Sequence, residues 1–279
     1  MRKEVELILK VLKYIFLGFF GIWILVSLFF QRILGTASLP MQKYQKINNT
    51  VGQKIYLKDK DGKYINALYI NNNSDKVIYY FHGNGGNLNM FEGYMKYFAS
   101  LGYNVLCFDY PGYGESEGFP YEHKIYEISQ LYLNYLTNTK EYSLGDIIVV
   151  GYSIGSVPAV DLAWKNEVNS LIIFSGLTDS YGMSKKLFGF NIIKLFMKPN
   201  SYNSLEKISE ISIPTLIFHG DQDNVIPYEM GIKLYENSIS VNKYFVNLEG
   251  LGHNGYLYTN GKQIGNTMKK FIQKNYNKM

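Results

Sequence analysis

The sequence predicts an α/β fold with a mainly parallel sheet covered by helices on both faces. Three observations predict it. Short apolar runs alternate with helix-length amphipathic segments from residue 77 onward. Several of those runs end in glycine-rich loops, where the carboxyl edge of an open sheet gathers its ligands. One run leads through Gly151-Tyr152-Ser153-Ile154-Gly155 straight into a helix-forming stretch. A serine flanked by glycines at −2 and +2, between a strand and a helix, has the pattern of a nucleophile elbow.

Composition narrows the function classes. The chain has 279 residues and 47% hydrophobic content, enough for a substantial core plus an appendage. Cys107 is the single cysteine, so an intramolecular disulfide is excluded, and its apolar neighbours predict a buried thiol. The formal charge of +5 is local. Residues 1–46 hold seven Lys/Arg and two Glu. The remaining 21 basic and 21 acidic residues cancel. The positive charge therefore belongs to the N-terminal segment, and no nucleic-acid-binding face is expected.

The elements follow in order. Tyr14 to Gln31 holds no charged residue and is bracketed by Lys13 and Arg32. Eighteen helical residues span about 27 Å, close to the hydrocarbon thickness of a bilayer. A membrane anchor is expected over residues 1–37, with a transmembrane helix at about 14–31. The competing reading is a cleaved signal peptide, for which Gly35-Thr36-Ala37 offers small residues. Lysines and arginines are too evenly split about the run to fix its orientation. Residues 38–50 are a polar linker, and residues 51–279 form the α/β domain.

Gln53–Lys58 and Tyr64–Ile70 read as strands joined by Asp59-Lys60-Asp61-Gly62, a sequence with hairpin chemistry. Val77–Phe81 is a buried strand that ends in His82-Gly83-Asn84-Gly85-Gly86-Asn87. A helix at Leu88–Ser100 and a strand at Asn104–Phe108 precede Asp109-Tyr110-Pro111-Gly112-Tyr113-Gly114-Glu115-Ser116. Tyr121–Leu136 is helical, with Ile125, Ile128, Leu131, Tyr132 and Tyr135 on one face. Asp146–Val150 and Ser156–Trp164 are the strand and helix of the elbow. Strands at Leu171–Phe174, Pro214–Phe218 and Lys243–Asn247, and helices at Met230–Tyr235 and Gln263–Gln273, complete the domain. Residues 176–211 break this rhythm with about 36 residues rich in Leu, Phe and Ile. They read as a small helical cap over the carboxyl edge of the sheet, the alternative being one long crossover.

A serine hydroxyl needs a base to take its proton and a third group to orient that base. Of the four histidines, His253 alone follows Ser153 in the order Ser, Asp, His and lies in a glycine-rich loop after the last strand. His82, His123 and His219 are the others. The acid is expected in His219-Gly220-Asp221-Gln222-Asp223. Asp223, deeper in the loop, is favoured, Asp221 is the alternative and Asp179 an outside option. The oxyanion of a tetrahedral intermediate requires two N–H donors. Ile154, at the helix N-terminus, supplies one, and Asn84, in the glycine loop, is assigned the other. No phosphate loop, dinucleotide fingerprint or metal signature is present, so no cofactor and no metal are expected.

With these motifs in place, residues 77–273 resemble the α/β-hydrolase superfamily, and within it the Bem46-like branch of serine hydrolases. The motifs at 82–87, 109–116, 151–155, 219–227 and 252–254 fall in the family's order. Gly85 stands where alanine is more usual, and little effect is expected of that. The resemblance implies Ser153, Asp223 and His253 as a triad and the Asn84 and Ile154 N–H groups as an oxyanion hole. Branch members are often anchored by one N-terminal helix. The branch is similar to lysophospholipases, acylglycerol lipases and acyl-protein thioesterases alike, so the expected substrate is an acyl ester or thioester, lipid-like in character. Two other readings compete. An aminopeptidase would need a cap carboxylate, for which Asp179, Glu206 and Glu210 are available. A non-catalytic binding protein on this fold would be expected to have a broken triad.

Overall fold

The computed structural model describes residues 9–22, 25–26, 52–188 and 201–276. Residues 9–22 form helix α1, with Leu9, Leu12, Phe16 and Phe19 all more than half exposed. Among the described residues no helix is long and apolar enough to cross a membrane. The span expected at 14–31 is therefore not recovered as one helix. Its residues 23–24 and 27–31 lie outside the described residues, as does the linker at 38–50.

Eight strands make one sheet: β1 (Gln53–Lys58), β2 (Tyr64–Ile70), β3 (Val77–Phe81), β4 (Asn104–Phe108), β5 (Ile147–Tyr152), β6 (Ser170–Phe174), β7 (Thr215–Gly220) and β8 (Lys243–Leu248). Their order is β1-β2-β4-β3-β5-β6-β7-β8. The pairs β1–β2 and β2–β4 are antiparallel and every later pair is parallel. The hairpin forms because Asp59 Oδ1 accepts from the N–H groups of Asp61 (2.9 Å) and Lys63 (2.8 Å).

Helices α2 (Leu88–Ser100), α3 (Glu122–Asn138), α4 (Ser156–Lys165), α5 (Ser180–Phe188), α6 (Ser204–Ile208), α7 (Tyr228–Asn237) and α8 (Tyr256–Tyr276) follow in chain order. The period-two alternation of the strands sorts them into two layers. Val77, Tyr79 and Phe81 of β3 face the core shared with α3, α4, α6 and α7. Ile78 and Tyr80 face the core shared with α2 and α8. Strands β3 to β6 are buried along their whole length, which is why they read as unbroken apolar runs.

Two boundaries differ from the sequence expectation in ways that matter. Helix α8 begins at Tyr256, seven residues before the predicted start, and has a non-helical residue at Asn260 (φ −121°, ψ 19°). Its first turn, Tyr-Leu-Tyr-Thr-Asn-Gly, is poor in helix formers, so propensity hid it. Strand β7 runs on through His219 and Gly220, so His219 is a strand residue and fully buried. Between β6 and β7 lie the helices α5 and α6, within the stretch expected to form a cap. Residues 189–200 of that stretch lie outside the described residues.

Candidate active site

Parallel β5 delivers Ser153 to the carboxyl edge of the sheet, and the chain turns there at once. Ser153 opens a single 3-10 turn over Ser153–Gly155 and helix α4 follows directly. Its φ of +57° lies in the left-handed region that non-glycine residues avoid. The flanking glycines make this turn possible. A Cβ on Gly151 would lie 2.7 Å from the Ala159 Cβ and 2.7 Å from the Ser156 Cα. A Cβ on Gly155 would collide with the carbonyl oxygens of Phe81 and His82. Strand and helix can meet this closely only where both side chains are absent.

The turn brings Ser153 to a histidine 100 residues further along the chain. Ser153 Oγ lies 3.0 Å from His253 Nε2. The other ring nitrogen, Nδ1, lies 2.8 Å from Asp223 Oδ2. With Asp223 ionised, Nδ1 carries the proton and Nε2 is left free to accept one from Ser153. Asp223 is fixed from its other oxygen, because Oδ1 accepts from the N–H groups of Val225 (2.9 Å) and Ile226 (2.8 Å). Burial pushes its carboxyl up, but hydrogen bonds from His219, His253 and Ser175 and the charge of His253 hold it well below the usual range. It is ionised at any working pH.

Tyr152 braces the histidine. Its ring stacks on the His253 imidazole at 5.4 Å, and its hydroxyl donates to the His253 carbonyl (2.9 Å). The loop after β3 passes close by, since a Cβ on Gly83 would lie 3.5 Å from the Ser153 Cβ. The loop after β4 holds that loop in turn. The Tyr110 hydroxyl donates to the His82 carbonyl (2.7 Å), and the Tyr113 hydroxyl donates to Asn84 Oδ1 (3.0 Å). His82 itself is fully buried, 4.8 Å from Phe91 and 4.2 Å from Tyr110 between ring centroids. Burial pushes its imidazole down to about 4, so it stays neutral. Among the described residues no three His, Cys, Asp or Glu side chains converge as a metal ion requires.

A protein-family model described as alpha/beta hydrolase fold matches residues 76–190. Alpha/beta hydrolase domain-containing protein 17C of Xenopus laevis is 30% identical over 220 residues, covering 76% of this chain and 66% of that protein. The 17B protein of Homo sapiens is 32% identical over 190 residues, covering 65% and 62%. The chain thus spans a little under two thirds of the length of these curated relatives. Among solved structures, an alpha-beta hydrolase from Vibrio vulnificus superposes with a TM-score of 0.73 at 20% identity, covering 86% of this chain and 92% of that one. The Pyrococcus furiosus esterase Pf2001 gives 0.67 at 19%, covering 85% and 97%. The chain has the α/β-hydrolase fold.

Within this α/β-hydrolase fold the three candidate acids have different partners. Asp223 meets His253, whereas Asp221 Oδ1 accepts from the Gly250 N–H (2.7 Å) and ties the β7 loop to the turn after β8. Asp179 Oδ1 accepts from the Gly182 N–H (2.8 Å) at the start of α5. His123 stacks on Tyr121 at the entry to α3, and His219 packs beneath the loop that carries Asp223. Sequence reasoning missed three groups that this hydrolase fold brings onto Asp223. Ser175 Oγ donates to Oδ2 at 2.7 Å, the Tyr256 hydroxyl lies 3.4 Å from it, and His219 Nε2 lies 3.4 Å from it. One signal was available: Ser175 directly follows β6, at the sheet edge where site residues collect.

Proposed function

We propose that the chain is a serine hydrolase that cleaves an acyl ester or thioester through an acyl-enzyme. The observation that carries this reading is the unbroken chain from Ser153 Oγ through the His253 imidazole to Asp223, with Ser153 on a left-handed elbow. Ser153 Oγ attacks the carbonyl carbon while His253 Nε2 takes its proton. Asp223 holds the tautomer and stabilises the imidazolium that forms. The backbone N–H groups of Ile154 and Asn84 are assigned to the oxyanion, and the Asn84 loop is braced by Tyr110 and Tyr113. His253 returns its proton to the leaving oxygen or sulfur. Water, deprotonated by the same imidazole, then releases the acid and frees Ser153.

The substrate is assigned a lipid-like acyl chain. Val157, Leu177, Ile226 and Met230 form an apolar cluster, and Ile154 and Met183 pack against it. Ile154 is the residue next to the nucleophile, and Met183 and Met230 belong to α5 and α7, so the cluster supplies apolar side chains beside the reacting serine. We assign residues 176–211 to a cap over this cluster. The Bem46-like branch and a membrane anchor at residues 14–31 belong to the same proposal, supported by the motif order and by the uncharged run between Lys13 and Arg32. The carboxylates that an aminopeptidase would use have other partners. Asp179 caps α5, Glu206 Oε2 is bonded to Asn203, and Glu210 Oε2 accepts from Trp164.

The test is fluorophosphonate labelling of the full chain and of Ser153→Ala, followed by a chain-length series of nitrophenyl esters on the same preparations. Labelling lost in Ser153→Ala, with turnover that rises with chain length, is expected. A folded wild type that takes no label removes the serine-hydrolase assignment. Faster turnover of acetate than of long-chain esters removes the lipid assignment alone.

A further inference from the structure

The strongest feature not absorbed by the proposed reaction lies behind Asp223. Ser175 sits at the end of β6 with no exposure and with φ +46°, the left-handed region again. Its backbone N–H donates to the Phe218 carbonyl (2.9 Å), which pins the residue to β7. That conformation aims its hydroxyl at Asp223 Oδ2 (2.7 Å), the oxygen that also receives His253 Nδ1–H. Ser175 Oγ is also hydrogen-bonded to the Tyr256 hydroxyl. A hydroxyl has one proton, and that of Ser175 is committed to the carboxylate, so Tyr256 donates to Ser175. Tyr256 is buried in turn, and its ring meets Tyr152 edge-on at 6.3 Å. Tyr152 stacks on His253. A ring of contacts thus runs from Asp223 through Ser175, Tyr256 and Tyr152 back to His253.

We infer that Ser175, held by Tyr256, is a positioning residue that fixes the Asp223 carboxylate and sets how much of its charge reaches His253. The inference rests on the serine-hydrolase reading of the same site. Oδ1 is anchored by two backbone N–H groups, whereas Oδ2 faces the imidazole that changes charge during the reaction. The Ser175 donor adds a restraint on Oδ2 that does not depend on the state of His253. It also shares charge that the imidazolium would otherwise feel in full. A left-handed serine is strained, and glycine would occupy the same turn at lower cost. Strain kept at a buried hydroxyl aimed at Asp223 points to the hydroxyl as its purpose.

Among the described residues the titratable groups facing the Asp223–His253 pair are few. They are His219 from β7, Tyr256 from α8 and Tyr152 from β5, with Tyr94 of α2 stacked on Tyr152 at 5.5 Å. Asp221, on the same loop as Asp223, is occupied by the Gly250 N–H. His219 Nε2 is shared with the Ile226 carbonyl (3.1 Å), so its hold on Oδ2 is the longer and weaker one. By distance Ser175, at 2.7 Å, is the closest donor to Oδ2 besides His253, with His219 and Tyr256 both at 3.4 Å.

The discriminating variant is Ser175→Gly, which suits the backbone and deletes the hydroxyl. Ser175→Ala deletes the hydroxyl and leaves the strain, and Tyr256→Phe removes the outer donor. Two readouts are taken on the full chain: the pH profile of kcat and KM with a nitrophenyl ester, and the low-field Nδ1–H proton resonance of His253 in protein carrying 15N-labelled histidine. In Ser175→Gly, kcat is expected to fall about tenfold with KM unchanged. The acid limb of its profile moves to higher pH, because an unshared carboxylate favours the imidazolium. The His253 proton resonance moves further downfield. Tyr256→Phe moves both readouts in the same direction by less. A Ser175→Gly protein with the wild-type profile and resonance overturns the inference and makes Ser175 a turn residue only. A wild type without turnover removes the hydrolase reading, and the resonance then still decides whether Ser175 acts on His253 through Asp223.

Discussion

At Asp109 burial and hydrogen bonding pull in opposite directions. The side chain follows β4 and has no exposure. Burial pushes its carboxyl up to about 6, against donors from Asn66 Nδ2, the Leu88 N–H and the Glu115 N–H. It thereby ties the first turn of α2 to the loop whose tyrosines brace Asn84. The sign of its effect on stability follows. Unfolded, the group titrates near 3.8. Between that value and about 6 the folded state binds more protons than the unfolded one, so this contribution weakens as pH rises through the window. A displacement of about two pH units corresponds to about 3 kcal/mol. His82 runs the other way, since burial lowers it to about 4 and its contribution is lost as pH falls from 6.5. Comparing wild type with Asp109→Asn cancels the His82 effect. Urea unfolding at pH 4 and pH 7 should show the variant doing relatively better at pH 7, by about 2–3 kcal/mol. A difference independent of pH would mean that Asp109 is not the titrating group.

At the scale of elements, the elbow is where sequence and tertiary structure agree most closely. Gly151 and Gly155 lie where strand β5, helix α4 and the end of β3 converge. Gly155→Ala should therefore cost about 1–3 kcal/mol or more and push the helix off the β3 loop. Thermal unfolding and fluorophosphonate labelling check this. A stable, fully labelled Gly155→Ala protein would mean that the close approach is not required. Gly85 offers a contrast, because its φ is +86° with open space around it. An alanine there would meet backbone strain but no collision, which gives glycine a physical reason where alanine is more usual. The strands were legible because β3 to β6 are buried on both faces and carry unbroken apolar runs. Ser153 and His253 were legible because a local turn and chain order mark them. Ser175 and Tyr256 were not, because they reach Asp223 only through tertiary approach, from 48 and 33 residues away in the chain. The start of α8 was hidden for a related reason: Tyr256 is held by packing against Tyr152 and Ser175, and not by helix propensity.

For the whole molecule the distribution of charge separates two parts. Residues 47–279 carry 21 basic and 21 acidic side chains, and the surplus of five positive charges lies in residues 1–46. The described part of that segment, α1, exposes Leu9, Leu12, Phe16, Phe19 and Ile22 to solvent. Leaving so much apolar surface in water is unfavourable at about 25 cal/mol per Å², so the segment is expected to find an apolar environment. The α/β-hydrolase fold has no use for it, since both faces of the sheet are already covered by α2 to α8. The proposed bilayer anchor would satisfy both features, because a bilayer would accept the uncharged run between Lys13 and Arg32. The consequence is measurable in two steps. The full chain should remain in the pellet when membranes are washed with carbonate, which strips peripheral proteins. A chain lacking residues 1–46 should appear in the supernatant and still take the fluorophosphonate on Ser153, because among the described residues the hydrogen-bond partners of Ser153, His253 and Asp223 all lie in the α/β domain. Release of the full chain by carbonate would replace the anchor with surface binding by an amphipathic helix. Loss of labelling on truncation, with the fold intact, would mean that the N-terminal segment completes the site.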